Sequence, residues 1–175
     1  MNQAAFLDRD GVINQKAAEG EYIVRWDDVH FFPGVSHGIR LLNESGFRVI
    51  VVTNQRCVAK GLITSQELEV LHRQMREYID RQGARIDDIL YCPHEIEPPC
   101  NCRKPMPGML LEAARTHSIE MNKSWMIGDS EVDIRAGQAA GCKTAWVGPR
   151  NGSTFGSDVV AESLVDAAKQ ILRRV

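Results

Sequence analysis

Asp8 and Asp10 stand two residues apart, directly after the short apolar run Ala4 to Leu7, where a buried strand would end and a loop begin. Two carboxylates on that spacing can face one cation. A magnesium ion, hard and octahedral, needs few protein carboxylates and keeps positions for water and phosphate oxygens. Asp8-Arg9-Asp10-Gly11 also reads as a surface turn in which Asp and Gly supply the turn chemistry, and these residues alone leave both readings open. A second apolar run closes in Val51-Val52-Thr53-Asn54-Gln55, whose hydroxyl, amide and backbone donors suit phosphate oxygens. Arg103 and Lys104 precede Pro105-Met106-Pro107-Gly108, a proline-opened helix start that favours anions, although a solvated basic turn has the same composition. Gly128-Asp129-Ser130-Glu131-Val132-Asp133 adds another carboxylate pair after an apolar run, with helix capping by Asp129 or Ser130 as the competing explanation.

A softer set of ligands lies between these motifs. Cys92-Pro93-His94 and Cys100-Asn101-Cys102 place three thiols and one imidazole within eleven residues, enough for a closed tetrahedral zinc site. Four such ligands with no open position suit a structural ion rather than a catalytic one. Buried cysteines beside a surface histidine are the alternative; the paired spacing and the Pro98-Pro99 bend favour zinc. The chain has five cysteines, so Cys57 and Cys142 are left as free thiols. An odd set crowded into one segment fits metal binding in a reducing compartment better than disulfides.

The hydrophobic pattern supplies the frame for these residues. Ala4–Leu7, Arg48–Thr53, Ile89–Cys92, Trp125–Gly128 and Thr144–Val147 have the length and composition of buried parallel strands. Helical periodicity predicts helices over Gly34–Ser45, Thr64–Gln82, Pro107–Thr116, Glu131–Ala140 and Ala161–Arg173. Thr64 and Glu67 form a capping-box pattern, Leu68, Leu71, Met75, Tyr78 and Ile79 form the buried stripe that follows, and Gly83 ends it. Gly46 and Gly141 stop two other helices. Alternation of this kind predicts an α/β fold: a single domain over residues 1–175, built as a Rossmann-like three-layer sandwich with a mostly parallel central sheet. Ligands in such sheets collect beyond the carboxyl ends of the strands, where the chemistry-bearing residues fall. The interval from Asp10 to Thr53 already holds a helix, and that from Asn54 to Lys104 holds a helix, a strand and the metal loop, so no separate cap domain is expected. The segment Asn14 to Tyr22 and the metal loop would then border an open site.

Composition narrows the function further. With 43% hydrophobic and 25% charged residues the chain is an ordinary globular sequence, and 175 residues suffice for an independent core. A formal net charge of -2 argues against a general nucleic-acid binder, which needs a basic surplus. No apolar stretch approaches the roughly 20 residues that cross a bilayer, so no membrane association is expected. The start Met1-Asn2-Gln3-Ala4-Ala5-Phe6-Leu7-Asp8 lacks the basic and long apolar regions of a secretory signal, so a cytoplasmic location is expected.

The ordered combination of Asp8-Arg9-Asp10-Gly11, Thr53-Asn54-Gln55, Lys104-Pro105 and Gly128-Asp129 resembles the four motifs of the haloacid dehalogenase superfamily over nearly the whole chain. The resemblance implies that Asp8 attacks phosphorus and that Asp10 protonates the leaving oxygen, then activates water against the aspartyl-phosphate. It further implies that Asp8, the main-chain carbonyl of Asp10 and Asp129 hold magnesium, that Thr53, Asn54 and Lys104 meet the substrate, and that Asp133 lies in or just behind the metal site. Cys-Pro-His followed by Cys-x-Cys-Arg-Lys-Pro-x-Pro-Gly-Met looks like the D-glycero-D-manno-heptose 1,7-bisphosphate phosphatases, with histidinol-phosphate phosphatases as near relatives. That likeness implies a small sugar-phosphate substrate, with Arg103 at the distal phosphate or sugar and Gly20, Glu21 and Tyr22 against the sugar. The family's usual Thr-Asn-Gln-Ser-Gly-x-x-Arg-Gly becomes Thr53-Asn54-Gln55-Arg56-Cys57-Val58-Ala59-Lys60-Gly61 here, and Arg56 is a second candidate for an anionic group. Histidinol phosphate, a polynucleotide end and a non-catalytic zinc-stabilised binding role are the competing readings, and a monomer is expected.

Overall fold

The computed structural model describes residues 2–149 and 152–174. Six strands, β1 (Gln3–Leu7), β2 (Phe47–Asn54), β3 (Asp88–Cys92), β4 (Trp125–Gly128), β5 (Lys143–Val147) and β6 (Val159–Ala161), form one sheet in the order β3-β2-β1-β4-β5-β6. Every pairing is parallel. The order reverses beside β1, the position at which open α/β sheets bind ligands. Five helices cover the sheet: α1 (Val35–Glu44), α2 (Ser65–Arg81), α3 (Gly108–His117), α4 (Glu131–Ala140) and α5 (Leu164–Leu172).

Strand alternation decides which face each residue serves. Ala5 and Leu7 of β1 join a core with Ile39 and Leu42 of α1, Met75 and Ile79 of α2 and Ala167 of α5. Ala4 and Phe6 face the other side, with Met109 and Leu110 of α3 and Ala136 of α4. A central strand apolar on both faces is what a doubly covered parallel sheet requires. Leu7 pairs with Val51 of β2 and with Ile127 of β4, so three strands end side by side.

The expected elements are present, and Thr64 and Glu67 form the reciprocal capping box at the start of α2. One expectation is corrected. The helix assigned from Ala161 begins at Leu164, after Ser163 accepts a hydrogen bond from the Asp166 N–H, and Val159–Ala161 is an edge strand. Three residues are too few for a period-2 signal to stand out beside a strong helical pattern. Among the described residues, the stretch between β1 and α1 carries one 3-10 turn at Trp26–Asp28, and only β3 lies between α2 and α3, so no inserted layer roofs the strand ends. No helix among them is long and apolar enough to cross a membrane.

Candidate active site

The Asp8 N–H donates to the Ile127 carbonyl at 3.0 Å, which fixes the residue after β1 against the end of β4. Asp129, one residue beyond β4, and Asp133, in the first turn of α4, bring their carboxylates to Asp8, and ligand oxygens of all three lie within 4.8 Å of one another. Two glycines make the approach possible. A Cβ on Gly11 would lie 2.1 Å from Asp129 Oδ2, and one on Gly128 would lie 2.1 Å from the Asp133 Cβ. Asp133 is held by the capping box of α4, its Oδ2 accepting from the Ser130 N–H at 3.1 Å and the Ser130 hydroxyl at 2.5 Å.

Lys104 stands at the centre of this cluster. Its ammonium lies 2.8 Å from Asp8 Oδ1, forms an ion pair with Asp133 at 2.6 Å and donates to the Val52 carbonyl at 2.7 Å. Burial opposes its charge, and the Asp133 and Asp8 carboxylates more than restore it, so its pKa is raised. Burial pushes Asp8 the other way, up to about 7; Lys104 opposes that shift, while the negative charges of Asp133 and Asp10 add to it. Burial likewise raises Asp129, which a hydrogen bond from Lys16 partly offsets. The Lys16 ammonium is 2.6 Å from Asp129 Oδ2, and no motif in the sequence announces it.

Asp10 turns away from the other carboxylates. Arg9 grips it with two bonds of 3.0 and 2.9 Å, Asn14 donates at 2.8 Å and Gln55 at 3.1 Å. Burial would raise its pKa, but the Arg9 guanidinium and these donors outweigh burial and hold Asp10 below the usual carboxylate range. Arg9 is 1% exposed and its remaining arm meets His72 Nε2 at 3.1 Å. Burial and the Arg9 charge push His72 down to about 3, so the ring is neutral and accepts from the guanidinium. Gln55 also donates to the Thr53 hydroxyl oxygen at 2.8 Å, which leaves the hydroxyl hydrogen to donate elsewhere. Arg9 and Gln55 sit inside the Asp-x-Asp and Thr-Asn motifs and Asn14 just beyond the first, yet the sequence assigns none of them these contacts, and nothing in it singles out His72.

The remaining expected substrate residues occupy two places. Asn54 clamps the Lys104 main chain: its Nδ2 donates to the Lys104 carbonyl at 3.1 Å and its Oδ1 accepts from the Lys104 N–H at 3.0 Å. The Arg56 guanidinium pairs with Glu95 of the metal loop. Arg103 makes a long contact of 3.4 Å to the His94 carbonyl. Gly20, Glu21 and Tyr22 lie in the loop after β1, Gly20 with φ +83 and Glu21 exposed, while Tyr22 packs on the small core of Cys57, Ile63 and Leu68.

At the end of β3, Cys92, His94, Cys100 and Cys102 converge as expected. The Cys92 sulphur lies 3.6 Å from His94 Nδ1, 3.6 Å from the Cys100 sulphur and 3.2 Å from the Cys102 sulphur. Cys102 is 3.2 Å from His94 Nδ1 and 3.4 Å from Cys100, and all five cysteines are free of disulfides. With metal–ligand bonds of about 2.0 to 2.3 Å, these edges are near those of a tetrahedron around one ion. The donor set therefore fits a soft four-coordinate metal. The carboxylate trio fits a hard one: its donors are oxygens, and Asp129 Oδ1 is buried with no hydrogen-bond partner among the described residues.

An HAD-hydrolase-like family model matches residues 101–167. A D-glycero-beta-D-manno-heptose-1,7-bisphosphate 7-phosphatase of Rhodopseudomonas palustris is 43% identical over 145 residues, covering 79% of each chain. The chain belongs to this heptose-bisphosphate phosphatase family. Another family member, the Yersinia pestis enzyme of the same description, is 36% identical over 184 residues, covering 98% of this chain and 96% of its own. The crystal structure of the D,D-heptose 1,7-bisphosphate phosphatase from B. bronchiseptica, complexed with magnesium and phosphate, superposes with a TM-score of 0.89 at 31% identity and covers 100% of both chains. Family membership makes the chain a phosphatase, and the parallel six-stranded sheet is the family's fold.

Proposed function

We propose that the chain is a magnesium-dependent phosphomonoesterase that removes the 7-phosphate of D-glycero-D-manno-heptose 1,7-bisphosphate through an aspartyl-phosphate on Asp8. The observation that carries the chemistry is the convergence of Asp8, Lys104, Asp129 and Asp133 at the carboxyl ends of three adjacent strands. The named substrates of the relatives and of the solved neighbour support the substrate assignment.

In this reading Asp8, the main-chain carbonyl of Asp10 and Asp129 hold Mg2+, which when bound offsets negative charge on the phosphoryl oxygens. Lys104 stays fixed by Asn54 and Val52 and supplies a cation to the same oxygens; Thr53 supplies a hydroxyl donor. The Asp8 carboxylate attacks phosphorus and the sugar oxygen departs with a proton from Asp10. Water then attacks the aspartyl-phosphate, gives its proton to Asp10, and releases phosphate and free Asp8. Asp10 is saturated by donors from Arg9, Asn14 and Gln55 in the arrangement described above, so its proton transfers require it to turn out of that cluster.

Zn2+ held by Cys92, His94, Cys100 and Cys102 would brace the loop that delivers Arg103 and Lys104, residues that follow ligand Cys102 directly in the chain. Arg103 then reaches the distal phosphate by exchanging its long contact with His94. The test is phosphate release from the α and β anomers of heptose 1,7-bisphosphate, histidinol phosphate and a hexose monophosphate. A higher kcat/KM for a heptose bisphosphate is expected; preference for histidinol phosphate would overturn the substrate, and no release from any of them would overturn the chemistry.

A further inference from the structure

Two lysines serve the carboxylate trio, and they are built differently. Lys104 is 2% exposed, contacts Asp8, Asp133 and the Val52 carbonyl, and has its main chain clamped by Asn54. It cannot leave without breaking a buried network. Lys16 comes from the loop after β1, its side chain is 53% exposed, and its ammonium pairs with Asp129 Oδ2 alone among the described residues. Its stem crosses tightly over the chain, with Cε only 2.6 Å from where a Cβ on Gly11 would stand. The oxygen it takes is on the same carboxylate whose other oxygen, Oδ1, is buried without a hydrogen-bond partner among the described residues. A cation lodged between Asp8 and Asp129 must therefore share or displace the Lys16 charge.

We infer that Lys16 is a tethered counter-ion of Asp129 that gives way to the divalent metal, and so sets the metal affinity of the site. This rests on the magnesium reading above and adds a residue that the motifs do not contain. In the metal-free protein three carboxylates face one buried lysine, and the Lys16 ammonium relieves their mutual repulsion. Metal binds only the fraction of molecules in which Asp129 is open, so the apparent Kd rises in inverse proportion to that fraction. A flexible, half-exposed lysine with one partner is held weakly enough to be displaced, whereas Lys104 is not.

The experiment is calorimetric titration of Mg2+ into zinc-loaded, magnesium-stripped protein, comparing wild type with Lys16→Met and Lys16→Arg. Lys16→Met removes the charge while keeping the stem, and its Mg2+ Kd is expected to be roughly two- to tenfold lower. Lys16→Arg keeps the charge and should stay near the wild-type value. The melting temperature supplies a second readout: Lys16→Met should melt below wild type without Mg2+ and converge with it at saturating Mg2+. An unchanged or higher Kd in Lys16→Met overturns the inference. Equal tightening by Met and Arg, or a melting deficit that persists at saturating Mg2+, does so too, since either result would make Lys16 a packing residue of the loop. Wild-type protein that binds no Mg2+ would instead sink the magnesium reading itself.

Discussion

Asp133 joins the site to the fold, and Asp133→Asn measures how much that junction is worth. Its Oδ2 accepts from the Ser130 N–H and hydroxyl while its Oδ1 lies 2.6 Å from the Lys104 ammonium, so the carboxylate meets only donors. An asparagine amide has one accepting and one donating end. Facing its oxygen to Ser130 puts its NH2 against the ammonium, and the reverse puts it against the Ser130 N–H, so either rotamer leaves donors opposed. Breaking a buried pair by removing one charge costs about 3–5 kcal/mol. Lys104 keeps Asp8 at 2.8 Å and the Val52 carbonyl at 2.7 Å, and Asp8 loses a repulsive neighbour, so the cost falls at or just below the bottom of that range, about 2–3 kcal/mol. For a domain of this size that is a fall in Tm of about 4–12 °C. The assay is thermal unfolding followed by circular dichroism on metal-free protein near neutral pH, run as a double-mutant cycle with Lys104→Met. The pair should couple by about 1 kcal/mol or more, because the loss in Asp133→Asn depends on Lys104 being present. An Asp133→Asn protein that melts with wild type, or a strictly additive cycle, refutes the reasoning.

Other expectations concern the chemistry. Asp8→Asn should fold and lose phosphatase turnover by about 10⁴-fold or more, as expected for loss of a covalent nucleophile; phosphate release near the wild-type rate would remove Asp8 from that role. Metal analysis should find about one zinc per chain, and Cys102→Ser should lower that content and raise KM through Arg103 and Lys104. A zinc-free protein with full activity would contradict the assignment. Burial raises Asp8 to about 7 in the metal-free protein, so its protonated form favours the fold at acid pH, and that contribution is lost as pH rises through about 7. Mg2+ needs the ionised form, so its affinity should climb with pH and level off above about 7; an affinity that is flat from about pH 5 to 8 would show that Asp8 does not limit binding.

The parts of the fold and site that could be read from the chain have local signatures. Strands such as Val49–Val52 are buried on both faces and so appear as continuous apolar runs, and the capping box of Thr64 and Glu67 marks a helix start within four residues. The sulphur cluster is legible for the same reason, since its ligands lie within eleven residues. What escaped depends on partners distant in the chain. His72 follows the buried stripe of α2 and looks like any residue of that helix until Arg9 is placed 3.1 Å away. Asn54 carries both a donor and an acceptor, and sequence spacing cannot reveal that the Lys104 main chain uses both. Arg56 faces Glu95 across a gap in sequence of 39 residues, so a cation that seemed available to substrate is already neutralised. Lys16 has no pattern around it at all.

The strand order also sets when catalysis becomes possible. Asp8 is anchored to Ile127 by one backbone bond, and β1 lies between β2 and β4. A nascent chain that has reached Lys104 already carries the nucleophile, yet Asp129, Asp133 and the strand that must pair with the far edge of β1 have still to be synthesised. No amino-terminal fragment can therefore mature into a working centre ahead of the rest. Parallel pairing between segments this far apart is slow, because loop-closure entropy is spent before the contacts repay it. Enzymatic competence in this molecule is thus a late event, and recovery of turnover after dilution from denaturant should follow closure of the central sheet rather than the earlier appearance of helices.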